Sequence, residues 1–117
     1  MKHTTNLRAG VVCSSVQLEF RKGPFSELQL HRAAYNARSE IGCVLHAHPP
    51  TSTGFAVAGI PLDPPFMAEP VVSLGKTIPL VPFFPPKDSR LDSAIREGLQ
   101  KSDVLLLANH GVLAKTP

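Results

Sequence analysis

Two apolar, strand-like runs that each end in histidine are the feature that most constrains this chain. Residues 43–48 read CVLHAH before Pro49, and residues 105–110 read LLLANH before Gly111. Side chains alternate between the two faces of a strand, so His46 and His48 project on the same side and can reach one metal ion. His110 can supply a third ligand from the end of the second run. Three histidines around one divalent cation, with a position left open, is the arrangement of catalytic zinc sites.

The first half of the chain shows patterns of one further strand and one helix. Residues 16–20 alternate apolar and polar side chains, which predicts a half-buried strand closed by a turn at residues 21–24. Ser26 is the predicted N-cap of a helix that reaches about residue 39. Its buried stripe has the spacing i, i+3, i+4 and i+7 and consists of Leu30, Ala33, Ala34 and Ala37.

The second half combines a proline-rich middle with another helix and strand. A short helix is predicted over residues 51–59, and the prolines that follow exclude long elements, so Val71-Val72 and residues 78–81 are predicted as short or edge strands. Ser89 is predicted to cap a helix over residues 90–101. Residues 103–110 form the last clear strand, which residues 112–114 can continue. A proline-rich linker between two domains is the alternative, and we disfavour it because the interspersed apolar side chains need burial.

Composition indicates a globular domain and disfavours several classes of protein. The 117 residues are enough for one domain. The net charge is +3, the basic residues are scattered along the chain, and the chain contains no tryptophan. We therefore expect no nucleic-acid partner. Two cysteines without ligand spacing indicate reduced thiols. Residues 1–6 lack the apolar segment of a signal peptide and no stretch is long enough to span a bilayer, so we expect no membrane partner and a cytoplasmic protein.

A fourth group is needed beside the three histidines, and Glu27 is the candidate. It lies in the first turn of the predicted helix, where the helix dipole favours a carboxylate. The alternative is an ordinary first-turn glutamate that caps its own helix. His31 follows at i+4 on the same helical face. A hydrogen bond at the helix surface is the preferred interpretation of His31, and contact with a metal ligand is the alternative.

Three motifs together resemble the class II aldolase/adducin family. They are residues 24–35 (PFSELQLHRAAY), residues 44–49 (VLHAHP) and residues 108–111 (ANHG), in the family's order and at similar spacing. The family includes fuculose-phosphate and rhamnulose-phosphate aldolases and ribulose-phosphate 4-epimerase. The resemblance implies an α/β fold, in which one domain has a central, mostly antiparallel or mixed sheet flanked by helices. Residues 16–117 are then a partial domain of this family, and residues 1–15 are a poorly ordered or atypical segment.

The resemblance also implies the site and its chemistry. His46, His48 and His110 would bind zinc, or another divalent metal such as manganese or cobalt. Glu27 would be the catalytic acid/base and a metal ligand when substrate is absent. The implied reaction is cleavage of a small, phosphorylated ketose through a metal-stabilised enediolate. Ser26 would bind the substrate, and a homo-oligomer, by resemblance a tetramer, would be the assembly.

Departures from the family pattern leave other functions open. The usual serine pair before the glutamate is Phe25-Ser26 here. The family's preceding phosphate loops and its C-terminal helix are not found, so the sequence predicts a member shortened at both ends. The alternatives are a non-catalytic, adducin-like binding or assembly module, or an epimerase or dehydratase of the family. Epimerases of the family tend to carry aspartate where this chain has Glu27, and adducin heads lack an intact metal site. The glutamate and the complete set of three histidines in this chain therefore favour the aldolase.

Overall fold

The computed structural model describes residues 10–13, 27–62, 68–75 and 77–117. In order along the chain, these residues form β1 (Gly10–Cys13), α1 (Leu28–Tyr35), β2 (Cys43–Ala47), α2 (Pro50–Ala58), α3 (Ala68–Leu74), β3 (Leu80–Val81), α4 (Ser89–Lys101), β4 (Val104–Leu107) and β5 (Gly111–Thr116). No helix in this part of the chain is long and apolar enough to cross a membrane.

The strands form one sheet in the order β1-β2-β5-β4-β3. β1 with β2, β2 with β5, and β4 with β5 pair antiparallel, whereas β3 pairs parallel to β4. β4 and β5 can be antiparallel neighbours because only the three residues 108–110 separate them. The prediction of one domain with a mixed, mostly antiparallel sheet flanked by helices is confirmed.

The main core lies between the sheet and the pair of helices α1 and α4. Leu105, Leu107 and Leu113 reach it from the strands, and Ile95 and Leu99 reach it from α4. Leu106, which alternates with its neighbours in β4, packs on the other side of the sheet with Ala56 of α2 and with Ile78. The sheet is therefore covered by helices on both faces over part of its width.

Several element boundaries differ from those that the sequence predicts. α1 ends at Tyr35 and so is shorter than predicted. The N-cap of α4 is Asp88, whose side chain accepts from the backbone N–H of Arg90 at 2.9 Å, and Ser89 is the first helical residue. The prediction of Ser89 as cap is wrong because the carboxylate one position earlier takes that bond.

The middle of the chain gives a further correction. Val71-Val72, predicted as a short strand, lies inside α3. Proline is tolerated in a first helical turn, so Pro70 does not prevent this helix. Residues 78–81 do contain the short edge strand β3, and residues 50–58 form the predicted helix α2. The strand predicted over residues 16–20 lies outside the described residues, and the division of the chain at residue 15 stays a prediction.

Replacing Leu105 with alanine should destabilise the fold strongly. Leu105 is fully buried between the sheet and the helices, so the change removes apolar contacts and leaves a cavity. We expect the free energy of unfolding to fall by about 2–5 kcal/mol, measured by urea denaturation. Val72→Ala is the control, since that side chain is 86% exposed in α3. Equal losses in both variants would contradict the assigned core.

Candidate metal centre

β2 and the residue after it place His46 and His48 at the end of the sheet near the start of α2. His46 shares the helix-covered face with Val44, and both are completely buried. His48 follows the strand directly, and its side chain is 41% exposed. The strand ends there because Pro49 and Pro50 follow, and Pro50 opens α2 as its first helical residue. His46 is thus held in the core, and His48 is partly open to solvent.

The turn between β4 and β5 brings His110 to the same place. His110 donates its backbone N–H to the carbonyl of Leu107 at 3.0 Å, which closes the turn. Asn109 adopts a left-handed conformation with φ of 57°, which asparagine tolerates better than most residues. Its backbone N–H donates to the carbonyl of Ala56 in α2 at 3.2 Å. One hydrogen bond within the turn and one to α2 therefore fix the turn. The ring of His110 lies next to that of His48, with their centroids 5.0 Å apart.

Glu27 completes the cluster from the helix layer. It occupies the N-cap position of α1 but makes no capping hydrogen bond with its side chain. Its Oε1 instead lies 3.4 Å from His46 Nε2, 3.6 Å from His48 Nε2 and 3.6 Å from His110 Nε2. The capping interpretation of this residue is therefore wrong. One carboxylate oxygen faces three imidazole nitrogens.

The spacing of these atoms fits one small cation. All four ligand atoms lie within 4.8 Å of one another. Ligands about 2.1 Å from a tetrahedral zinc ion lie about 3.4 Å apart, close to the distances from Glu27 Oε1. His46 Nε2 and His48 Nε2 are 3.0 Å apart, slightly closer than that. Three imidazoles and a carboxylate are also a donor set that zinc accepts.

A backbone carbonyl sets which nitrogen of His46 faces the cluster. His46 Nδ1 lies 2.8 Å from the carbonyl oxygen of Val112. A carbonyl only accepts, so Nδ1 carries the proton and donates it there. Nε2 then keeps its lone pair toward the other ligand atoms. Metal-binding histidines are commonly oriented by such a bond from the second ring nitrogen.

Burial keeps His46 neutral, which is the form that binds metal. Burial lowers the pKa of His46 below its ordinary value of 6.5, and the charges of His110 and His48 act in the same direction. The hydrogen bond to Val112 and the carboxylate of Glu27 oppose this shift. A protonated imidazole has no lone pair on Nε2 to offer. The environment therefore favours ligation near neutral pH.

His31 is buried beneath the cluster. It is 1% exposed, so the preferred interpretation of a hydrogen bond at the helix surface is wrong. Its pKa is lowered from 6.5 to about 4, mainly by burial and also by the charge of His46, while the carboxylate of Glu27 opposes the shift. His31 faces the core because it falls on the same side of α1 as Leu30 and Ala34, which are also buried. It is a neutral core residue next to the ligand cluster.

A small cleft opens beside His110. It is lined mainly by apolar side chains, namely Pro82, Phe83, Phe84, Leu91, Leu107 and Ala108. Phe83 is 57% exposed there. The approach to the cluster is therefore apolar on this side.

The structure brings together four of the five predicted site residues. Glu27, His46, His48 and His110 converge, while Ser26 lies outside the described residues. Sequence reasoning missed the supporting role of Gly111. A β-carbon there would lie 2.5 Å from the carbonyl oxygen of Ala47 and 2.6 Å from His48 Cδ2. The glycine directly after a candidate ligand was the signal that could have revealed this close approach.

The comparison with protein families is consistent with this geometry. The model of the Class II Aldolase and Adducin N-terminal domain matches residues 5–115. The chain belongs to this family. Among the relatives, 5-methylthioribulose-1-phosphate/5-deoxyribulose-1-phosphate aldolase of Escherichia coli O45:K1 is 33% identical over 96 residues, covering 82% of this chain and 45% of that protein.

Two further comparisons indicate how varied the similar proteins are. The 3-oxo-tetronate 4-phosphate decarboxylase of Escherichia coli O6:H1 is 32% identical over 92 residues, which are 75% of this chain and 43% of that protein. The solved structure of an L-fuculose 1-phosphate aldolase matches with a TM-score of 0.72 and 26% identity, over 85% of this chain and 46% of the other. The chain spans less than half the length of these members of the class II aldolase and adducin family.

Gly111→Ala should weaken metal binding by displacing His48. The added methyl group would lie 2.5 Å from the carbonyl oxygen of Ala47 and 2.6 Å from His48 Cδ2. Because the backbone oxygen is held in the sheet, we expect the His48 ring to shift. We expect zinc affinity to fall by about 10–100-fold, as measured by competition titration with a chromophoric chelator. Gly54→Ala in α2 is the matched control, because its β-carbon would meet nothing within 4 Å. Equal affinity in the two variants would contradict this role of Gly111.

The metal-free protein should lose stability as the pH falls from 6.5 toward 4. In this range the unfolded chain protonates His31 while the folded chain does not, because burial lowers the folded pKa to about 4. Each pH unit should therefore cost up to about 1.4 kcal/mol from this residue. Urea denaturation at a series of pH values, with EDTA present, measures the slope. His31→Phe should reduce the slope without removing it, since the pKa of His46 is lowered too; an unchanged slope would be evidence against buried, neutral His31.

Proposed function

We propose that this chain is the metal-binding part of a zinc-dependent, aldolase-type lyase that cleaves a small, phosphorylated ketose. The observation that carries this proposal is the convergence of Glu27 Oε1 with three histidine Nε2 atoms in a chain of the class II aldolase and adducin family. Zinc fits the donor set, and cobalt or manganese are the alternatives. When bound, the metal would supply Lewis-acid polarisation of substrate oxygens.

The protein side chains divide the remaining work between orientation and proton transfer. The Val112 carbonyl holds the His46 ring, and the turn at residues 108–110 holds His110, so the ligand positions are preorganised. Glu27 is the group placed to move a proton. Its Oε1 would take the proton of the substrate hydroxyl that becomes the aldehyde carbonyl and return it to the carbon freed by bond cleavage. The half-buried position of this carboxylate keeps it within reach of an entering substrate.

A phosphorylated sugar is proposed as the substrate because the similar proteins are named for such compounds. They include an aldolase of 5-deoxyribulose-1-phosphate and a decarboxylase of 3-oxo-tetronate 4-phosphate. Ser26 directly precedes Glu27 and is our proposed contact to the substrate phosphate. The proposal also includes a partial domain over residues 16–117, a homo-oligomeric, by resemblance tetrameric, assembly and a cytoplasmic location.

Decarboxylation is the second candidate reaction, and the decarboxylase relative favours it. Loss of carbon dioxide and cleavage of a carbon–carbon bond both leave negative charge next to a carbonyl, so one metal-centred site can serve either. Product analysis separates them, since the aldolase reaction releases an aldehyde and decarboxylation releases carbon dioxide. A non-catalytic, adducin-like module is the third candidate. It would retain the fold without turning over any substrate.

Glu27→Gln should abolish turnover while leaving a metal bound by the three histidines. The amide keeps the shape of the side chain but cannot act as a base, so we expect a rate loss of about 10²–10⁴-fold. The assay follows aldehyde release from a panel of phosphorylated ketoses, with metal content measured in parallel.

Glu97→Gln is the control for that experiment. This exposed glutamate on α4 pairs with Lys101 and lies outside the cluster. It should leave turnover unchanged. Removal of metal by EDTA should stop the reaction, and added zinc should restore it. Full activity of the Glu27→Gln variant, or of the metal-free protein, would refute the proposed mechanism.

A further inference from the structure

The end of α1 that carries Glu27 lacks the usual means of fixing a helix terminus. Glu27 itself is the N-cap, but its carboxylate faces the histidines and makes no capping bond. The first turn of α1 also contains no acidic residue. α1 has only eight residues, which is too short for a helix to be stable without packing. The position of Glu27 must therefore depend on a contact with another element.

Gln29 makes that contact, two residues after Glu27. Its Nε2 donates to the carbonyl of Asp88 and to Oδ1 of Asp92, both at 2.9 Å. Its Oε1 accepts from the backbone N–H of Lys87, also at 2.9 Å. The partners fix the orientation of the amide, because a flipped amide would point its oxygen at two acceptors. We refer to these three bonds as the Gln29 bridge.

The partners of the Gln29 bridge lie at the start of α4, a helix that packs into the main core. Asp88 caps α4, and the buried Ile95 and Leu99 of that helix belong to the main core. Lys87 adopts a left-handed conformation with φ of 70°, which is unfavourable for a residue with a β-carbon. Its N–H is one of the groups that Gln29 binds. The bridge therefore joins the first turn of α1 to the N-terminus of α4.

The geometry separates the bridge from the ligand cluster. Side chains two positions apart on a helix point about 200° apart, so Gln29 faces α4 while Glu27 faces the histidines. A second amide contact lies at the other end of the helix pair, where Gln100 Nε2 of α4 donates to the carbonyl of Ala37, two residues after α1, at 2.9 Å. α1 and α4 thus lie side by side with their N-termini at the same end. Of these two amide contacts, the Gln29 bridge is the one at the end that carries Glu27.

We propose that Gln29 is a positioning residue that holds the Glu27 carboxylate at the metal centre through its three bonds to the start of α4. This inference rests on the proposed metal centre but not on turnover. It assigns a function to a polar side chain that lies outside the cluster of Glu27 and the three histidines. The bridge restrains the first turn of α1, and that turn sets the distance from Glu27 to the histidines.

Binding of Co²⁺ to the full chain tests the proposal, because its visible absorption reports the number and type of ligands. Gln29→Glu keeps the side-chain shape but places a carboxylate against the Asp88 carbonyl and the Asp92 carboxylate. We expect it to weaken Co²⁺ binding by about tenfold and to shift the spectrum in the same direction as Glu27→Gln. Gln100→Glu makes the same chemical change at the far end of the helix pair and should leave both readouts unchanged. Thermal unfolding of both variants measures any general loss of stability.

A double variant tests whether the effect arises from the bridge. Asp92→Asn supplies an amide donor to the new carboxylate, so Gln29→Glu with Asp92→Asn should recover Co²⁺ affinity and spectrum toward those of the unaltered protein. If Gln29→Glu has the spectrum and affinity of the unaltered chain, while Glu27→Gln differs, the positioning role is refuted and the metal centre stands. If the unaltered chain binds no Co²⁺, the metal centre and this inference both fail.

Discussion

The register between β2 and β5 is the constraint on which the rest of this structure depends. His46 lies opposite Leu113, and Ala47 lies opposite Val112. This pairing buries His46 under the helices and places the Val112 carbonyl against its Nδ1. A slip of one residue would turn His46 to the other face of the sheet. The same pairing brings the turn that carries His110 to the end of β2.

At this end of β2, a polar cluster takes the place of an apolar contact between the helices and the sheet. A buried histidine and a half-buried carboxylate are costly to remove from water unless they have partners. Here Glu27 Oε1 faces three imidazole nitrogens, and the ring of His46 donates to a backbone carbonyl. The grouping of one carboxylate and three imidazoles is consistent with a binding site for a cation.

The convergence of Glu27 with the three histidines was easier to anticipate from the sequence than the structure around them. His46 and His48 could be placed because strand periodicity determines the side on which alternate residues lie. The prediction of one strand over residues 103–110, continued by residues 112–114, is wrong, because β4 ends at Leu107 and the chain turns back into the antiparallel strand β5 at Gly111. The helix at Val71-Val72 and the cap at Asp88 were missed, since a short apolar pair fits either structure and two adjacent polar residues can both cap a helix. His31 was placed at the surface because helical periodicity alone does not show which face is covered.

Local patterns in the sequence are sufficient to identify the chemical types of the candidate ligands, the strand that carries His46 and the family resemblance that the family model bears out. These follow from local patterns, in which spacing along the chain sets the direction of each side chain. Only the tertiary structure decided that Glu27 Oε1 faces all three histidines, that Val112 orients His46 and that Gln29 joins two helices. Those contacts join residues that are far apart in the chain. Packing and strand register bring them together, and neither can be derived from the spacing of residues in one segment.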